Sequence, residues 1–281
     1  MSIVDLHVHS TRSDGTLTPT QLVDYAIEKK LSAFALTDHD TIEGLSEAVN
    51  YAADKEIEVI PGIEFSTEFK GHDIHIVALY VPYTDMSFIE DLKEFQDSRN
   101  LRNQKMCLKL AAHDVSITYG QLLAEYPDSV LTRAHYANYL VKYGYCSSRA
   151  EAFERYIGDQ APCFVPREKI TPVQAVQFIK KYHALAVLAH PILYHMSKYV
   201  MDDLVSELTT HGLDALEAVY STYSTSEEHQ MRALAKKHHL LISGGSDFHG
   251  KNKDNIDLAV GRGHLYVPYE ILQNLKEKLN S

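Results

Sequence analysis

The chain has no tryptophan and only three cysteines, Cys107, Cys146 and Cys163. An odd, scattered set without Cys-x-x-Cys spacing excludes a disulfide framework and a thiolate zinc site. Long apolar runs are also missing. None approaches the ~18 residues that a membrane span needs. Residues 1–20 hold no apolar stretch of a secretory leader. The expectation is a cytoplasmic protein with no membrane partner. Positive charge is scarce: 27 Lys and Arg face 38 Asp and Glu, a net charge of −11. That balance argues against a basic face for duplex DNA. It does not exclude a phosphate ester, because two or three bound divalent ions would add a hidden charge of roughly +4 to +6.

Histidine is what the chain has in excess, with 16 against 9 Phe. It is the commonest metal ligand among side chains. The segment Ile3-Val4-Asp5-Leu6-His7-Val8-His9 alternates like a short strand, with His7 and His9 on one face and Asp5 beside them. Two imidazoles about 6–7 Å apart along a strand can turn toward one divalent ion. Ser-Thr-Arg-Ser-Asp-Gly then reads as a loop, which puts Asp14 just beyond the strand's C-terminal end. α/β proteins place their chemistry there. A lone His-x-His on a half-buried strand is unremarkable in itself. Here similar fragments recur along the chain.

Thr18-Pro19 reads as an N-cap followed by proline at the first helical position, and 19–30 as an amphipathic helix. An apolar strand then ends in Leu36-Thr37-Asp38-His39-Asp40. A helix over 42–54 leads to a strand through Pro61-Gly62-Ile63-Glu64, and a fourth strand, 73–81, carries His75 near its start. Strands and helices alternating at this spacing predict a parallel sheet of βαβ units. Residues 86–169 break the rhythm, with a long helix over 86–113, shorter pieces near 119–125, 132–143 and 147–157, and a connector through Pro162 and Pro166. They read as a helical insertion. The rhythm returns from 170 to 281, with strands ending at Ala189-His190-Pro191, at Tyr220 and at Gly245-Ser246-Asp247-Phe248-His249, and a last strand over 263–267. The predicted architecture is α/β: an irregular (β/α)7-type barrel built from 1–85 and 170–281, with 86–169 inserted. The pattern alone leaves an open sheet as the alternative.

The candidate ligands are His7, His9, Asp14, His39, Glu64, His75, His190, Asp247 and His249. Nearly all fall at strand tips, which form one rim in a parallel barrel. His75 is the exception, and its strand would have to run the other way or enter irregularly. Six imidazoles and three carboxylates in one pocket are costly without cations. An N and O donor set without thiolate suits Zn, Mn or Fe in a multinuclear site. Four tyrosines, Tyr136, Tyr139, Tyr143 and Tyr145, are assigned to the core of a helical subdomain rather than to base stacking.

Asp-Leu-His-Val-His-Ser, Leu-Thr-Asp-His-Asp, Pro-Gly-Ile-Glu-Phe-Ser, His-Ile-Val-Ala-Leu-Tyr, Ala-His-Pro and Gly-Gly-Ser-Asp-Phe-His together resemble the motifs of the polymerase and histidinol phosphatase (PHP) family. More narrowly, they resemble its stand-alone metal-dependent phosphoesterases. The resemblance implies two to three divalent ions (Mn, Zn, Fe or Mg). His7, His9, Glu64 and Asp247 would hold one, Asp14, His39 and His249 a second, and His75 with His190 a third, Glu64 bridging. Asp14 stands where many members have His. The resemblance further implies hydrolysis of phosphomonoesters by a hydroxide between two ions, with Asp247 catalytic as well as ligating. Expected substrates are nucleoside monophosphates, 3′,5′-bisphosphonucleotides or short single-stranded RNA 5′ ends. A histidinol-phosphatase-like or other small-molecule phosphatase is an alternative, and the ligands alone equally allow a metal-dependent amidohydrolase. A non-catalytic metal-binding module is disfavoured, since all nine positions are filled. Arg133-Ala134-His135 resembles the family's Arg-x-His pair, implying that Arg133 grips phosphate and His135 serves as donor or general acid. One departure concerns the motif after the metal histidine. Leu193 stands where related sequences carry Arg, and His195 or Lys198 is the candidate replacement.

Overall fold

In a computed structural model, residues 2–158, 160–165, 170–253 and 255–281 are described, the side chains of Glu94 and Ser98 excepted. The Pro166 connector lies outside the described residues. Helix starts follow local chemistry. Thr18 caps α1 (Pro19–Glu28) and Thr171 caps α7 (Pro172–Lys181), each paired with a Gln three residues on and followed by proline. Each such cap satisfies backbone donors that the helix itself leaves unpaired, worth about 1 kcal/mol.

Seven strands run in chain order around one sheet: β1 (Val4–Val8), β2 (Ala33–Leu36), β3 (Glu58–Phe69), β4 (His72–Leu79), β5 (Leu185–Leu188), β6 (Ala215–Tyr220) and β7 (Leu241–Gly245). β1, β2 and β3 are parallel, as are β5, β6 and β7. β4 is antiparallel to both its neighbours. It returns from β3 through a tight turn at Lys70 and Gly71, both at positive φ, the geometry of a two-residue hairpin. The reversal brings the start of β4 to the rim where the other strands end, which places His75 with the other candidate ligands. The sheet nearly closes on itself. Val8 bridges Phe248 in parallel, the Asp247 amide donates to the His7 carbonyl (2.9 Å), and the His9 amide donates to the Phe248 carbonyl (3.0 Å). Glycine permits the approach, since a Cβ on Gly245 would lie 2.5 Å from the His7 Cβ.

Strand alternation sets two apolar layers. Phe34, Leu36, Ile76, Ala186 and Leu216 face a helical coat that includes α1, α7, α2 (Leu45–Ala52), α8 (Lys198–Thr210) and α9 (Thr225–Lys237). Val77, Leu79, Leu185, Val187 and Val219 lie on the inner face, and their cluster continues onto α10 (Tyr269–Leu279). No helix among the described residues is long and apolar enough to cross a membrane.

Between β4 and α7 lie α3 (Met86–Ala111), α4 (Tyr119–Glu125), α5 (Arg133–Lys142), α6 (Arg149–Ala152) and a π-helical turn, Phe153–Ile157. α3 serves both parts of the molecule. Phe88, Leu92 and Phe95 join the barrel's outer layer, whereas Met106, Cys107 and Leu110 pack with Tyr136, Tyr139, Leu140 and Ile157 in a separate core. The insertion's own core therefore starts about twenty residues later than position 86. The strand expected over 263–267 is not regular. It is reduced to two bonds, from the Val4 amide to the Val267 carbonyl and from the Tyr269 amide to the Ser2 carbonyl, around a bridge between Ile3 and Pro268. The chain turns into α10 at Tyr269, which ends the pairing.

Asp5, fully buried, ties the closure together. Its carboxylate accepts from the amides of Ser246 (2.8 Å), Ala259 (2.9 Å) and His7 (3.4 Å). Asp5→Ala would leave buried donors unpaired. In metal-stripped protein it should lower stability by about 3 kcal/mol, measured by denaturant unfolding. A change below ~0.5 kcal/mol would contradict this role.

Candidate metal centre

The nine candidate side chains converge on the barrel's open rim, and Glu64 is the hub. Its Oε1 lies 2.9 Å from His75 Nδ1, 3.1 Å from His190 Nε2 and 3.3 Å from His7 Nε2. Its Oε2 lies 3.0 Å from His39 Nδ1 and 3.2 Å from His9 Nε2. Asp247 Oδ1 sits 3.3 Å from both His9 and His249. Asp14 Oδ1 sits 3.1 Å from His249 Nε2. Eight of the nine are buried, and His75 is partly exposed. Two occupy left-handed backbone, His190 at φ +29° and Asp247 at φ +54°. Such conformations are costly for these residues and recur at functional sites.

The residues fit divalent cations. His7 Nε2, His9 Nε2, His39 Nδ1 and His190 Nδ1 are buried without a hydrogen-bond partner. The first three face Glu64 oxygens at 3.0–3.3 Å, close enough to share a ligand yet without hydrogen-bond geometry. Four groupings place ligand atoms within 4.8 Å of one another: His9, Asp14, His39 and His249; His7, Glu64 and His190; His7, His9 and Asp247; and His39, Glu64 and His75. His190 thus groups with His7, and His75 with His39, rather than the two forming a pair of their own.

Electrostatics follow from the crowding. Burial pushes each carboxylate up, but surrounding cationic groups outweigh it. Glu64 is held well below its ordinary range by His7, His39 and His75, Asp14 by His249 and His39, and Asp247 by Lys253 and His7. Burial pushes the His7 and His9 imidazoles down, yet the carboxylates win. His7 is raised well above normal by Glu64, Glu217 and Asp247, and His9 is raised to about 9 by Asp247 and Glu64.

Several supporting residues had not been singled out from the sequence. Glu217 accepts from His7 Nδ1 (3.1 Å) and from the His190 amide (2.7 Å), so one carboxylate orients two ligands. That is the usual outer support of a metal-bound imidazole. A lone Glu in the apolar run Ala-Leu-Glu-Ala-Val-Tyr was the available signal. Asp38, next to the ligand His39, accepts from the Ser10 amide and from the Ser10 and Ser13 hydroxyls, fixing the loop that carries Asp14. Asp40 binds Arg99 in an ion pair. Tyr220 donates to Asp247 Oδ2 (2.6 Å), and Lys253 pairs with the same oxygen.

Above the ligands lies a cavity of about 480 Å³. Its lining also carries Arg99, Arg102, Arg133 and Arg149, all from residues 86–169. Arg133 binds Asp73 (2.6 Å) and lies over the rings of Phe153 and Phe164. His135 does not line the cavity. It is the N3 residue of α5's capping box, buried, its Nδ1 accepting the Thr132 amide (2.9 Å). Burial lowers it to about 4, against the pull of Asp14. His135, expected as a proton donor, is thus set in a helix cap outside the cavity, its Nδ1 an acceptor and its one remaining proton on Nε2. Among the described residues, His195 and Lys198 also stay outside the cavity, which Leu193 does line. The arginine missing at 193 is therefore not replaced from that loop.

Residues 5–251 match the PHP domain. The 5′-3′ exoribonuclease Rnm of Escherichia coli is 37% identical over 251 residues, covering 88% of this chain and 85% of that protein. The 3′,5′-nucleoside bisphosphate phosphatase of Chromobacterium violaceum is 30% identical over 261 residues, covering 92% and 91%. A solved structure from Chromobacterium violaceum, named an amidohydrolase and holding sulfate and no metal, superposes with a TM-score of 0.86 at 29% identity, covering 99% of this chain and 97% of that one.

Raised imidazoles give the centre a pH signature. His9, and His7 above its ordinary value, carry protons at pH 7 when no ion is bound. An ion needs them neutral. Ion binding at pH 7 should therefore release protons, and affinity should fall as pH drops below about 9. Calorimetry in buffers of different ionisation heat measures the release. Zero release would contradict the reading.

Proposed function

This chain belongs to the PHP domain family, and from that premise we propose that it is a phosphoesterase hydrolysing phosphomonoesters of nucleotides. The substrate classes are a nucleoside monophosphate, a 3′,5′-bisphosphonucleotide or the phosphorylated 5′ end of a short single-stranded RNA. Two relatives carry names that specify nucleotide or RNA phosphoesters. The observation that carries the reading is that one cavity is lined both by seven of the nine candidate N and O ligands and by four guanidinium side chains. Guanidinium is planar and forked, matched to phosphate oxygens. An amide substrate gives such a lining nothing to hold, which weighs against the amidohydrolase alternative.

Two to three divalent ions, Mn, Zn, Fe or Mg, are proposed at His7, His9, Asp14, His39, Glu64, His75, His190, Asp247 and His249. When bound they would supply Lewis acidity toward a phosphoryl oxygen and a nucleophile at neutral pH. The chain's own side chains do the rest. Glu217 keeps the His7 ring turned inward. Asp247 is fixed by Tyr220 and Lys253. Residues from about 100 to 165 act as a lid, whose Arg133, braced by Asp73 and two aromatic rings, orients the phosphate and shields it from bulk water.

The test is a panel assayed with added Mn: nucleoside 5′-monophosphates, a 3′,5′-bisphosphonucleotide, 5′-phosphorylated short RNA, histidinol phosphate and simple amides. Phosphate release fastest from a nucleotide or RNA end is expected. Faster turnover of an amide than of every phosphoester would overturn the proposal. Arg133→Ala should lower kcat/KM by roughly 10- to 1,000-fold, from ~1.5–3 kcal/mol for a charged hydrogen bond and more once water enters. Its metal content should match wild type, by elemental analysis.

A further inference from the structure

Asp14 differs from the other eight candidate ligands in what carries it. The others lie on strands or within four residues of a strand end. Asp14 sits in a tight loop, closed by bonds from the Gly15 and Ser13 amides to the Ser10 carbonyl. Space is short there, since a Cβ on Gly15 would meet the His9 carbonyl oxygen at 2.2 Å. The insertion grips this loop at successive points. Ser129 Oγ donates to the Thr11 carbonyl (2.5 Å), the Val130 amide to the Arg12 carbonyl (2.9 Å), and Thr132 Oγ1 to Asp14 Oδ2 (2.9 Å). The Asp14 carbonyl accepts from Asn252, whose own carbonyl is held by Arg149 of the insertion.

Thr132 is itself fixed. It is the N-cap of α5, so its hydroxyl accepts the Ala134 amide (3.2 Å) while giving its single proton to Asp14. His135 completes the cap by accepting the Thr132 amide (2.9 Å). Three other capping boxes in this chain, at Thr18, Thr118 and Thr171, use Gln at the position His135 holds.

We infer that Thr132 is a positioning residue that makes cation binding at the Asp14, His9, His39 and His249 group conditional on a docked insertion. One oxygen of Asp14 is turned and held by a hydroxyl from the lid, so lifting the lid frees the carboxylate to rotate. Coupling between two sites is reciprocal. Docking strengthens the ion at this group, and the ion strengthens docking by the same factor. Loading and closure are then one event. The inference rests on the metal reading of the centre, and ion binding by the wild-type chain tests that reading separately.

The experiment uses the full chain with Mn or Zn alone as probe. Calorimetric titration counts and ranks the ions, and hydrogen exchange follows amides 119–145 with and without metal. Thr132→Val should weaken one class of ion by roughly 10- to 100-fold, the usual cost of losing outer support, and leave the others unchanged. In wild type, metal should slow exchange across 129–142, and in Thr132→Val that slowing should vanish. Thr132→Ser should restore both effects. His135→Gln should behave as wild type in both measurements, because Gln completes the same cap elsewhere in the chain. Wild-type affinity at every site in Thr132→Val, or equal metal-induced protection of its insertion, would overturn the inference. So would loss of the coupling in His135→Gln.

Discussion

One buried carboxylate faces five imidazoles. Glu64 has His7, His9, His39, His75 and His190 within 3.3 Å, and no arrangement of protons alone satisfies them all. Each imidazole can offer one hydrogen on that side, and a carboxylate can accept only along a few directions. Several ring nitrogens stay unpaired as a result. Positive charge at the centre resolves the conflict. The rest of the molecule serves that convergence: the near-closed sheet, the reversed strand, the glycine at the closing seam and the outer carboxylates of Asp5, Asp38 and Glu217.

The nine side chains that converge on the rim were legible in the sequence because their signal is local. A histidine or acid directly after an apolar strand needs no knowledge of the fold to be noticed. The reversal of β4 was legible only as a discrepancy, His75 near the wrong end of its strand, and the Lys70-Gly71 hairpin explains it. Glu217 and three of the four cavity arginines were not singled out, Arg133 being the exception, since their meaning depends on what lies across the barrel or around the cavity. Arg99, Arg102 and Arg149 read as ordinary helix surface until α3 and α6 are docked. The place of His135 in a helix cap was not legible for a related reason. The motif identified its neighbourhood, but the cap that consumes its Nδ1 follows from where α5 begins.

α3 gives the insertion its bearing. Its first half is anchored in the barrel's outer layer and its second half in the insertion's core, so the two bodies share a rigid helix rather than a linker. Arg99 and Arg102 sit at the waist between the halves, both buried. Arg99 bonds Asp40 beside His39, Ser66 beyond Glu64 on β3, and the Leu131 carbonyl one residue before Thr132. Cavity-lining charge and attachment of the insertion to the barrel are thereby built from the same side chains.

The hairpin of β3 and β4 has a consequence for how the chain reaches this state. Glu64 and His75 are 11 residues apart and paired within one local ribbon, whereas His7 and Asp247 are joined only when the two ends of the barrel meet. Local pairings form at small loop-closure cost, and distant ones late and slowly. Glu64 and His75 thus meet across a short loop, and the seam between β1 and β7 carries the larger loop-closure cost.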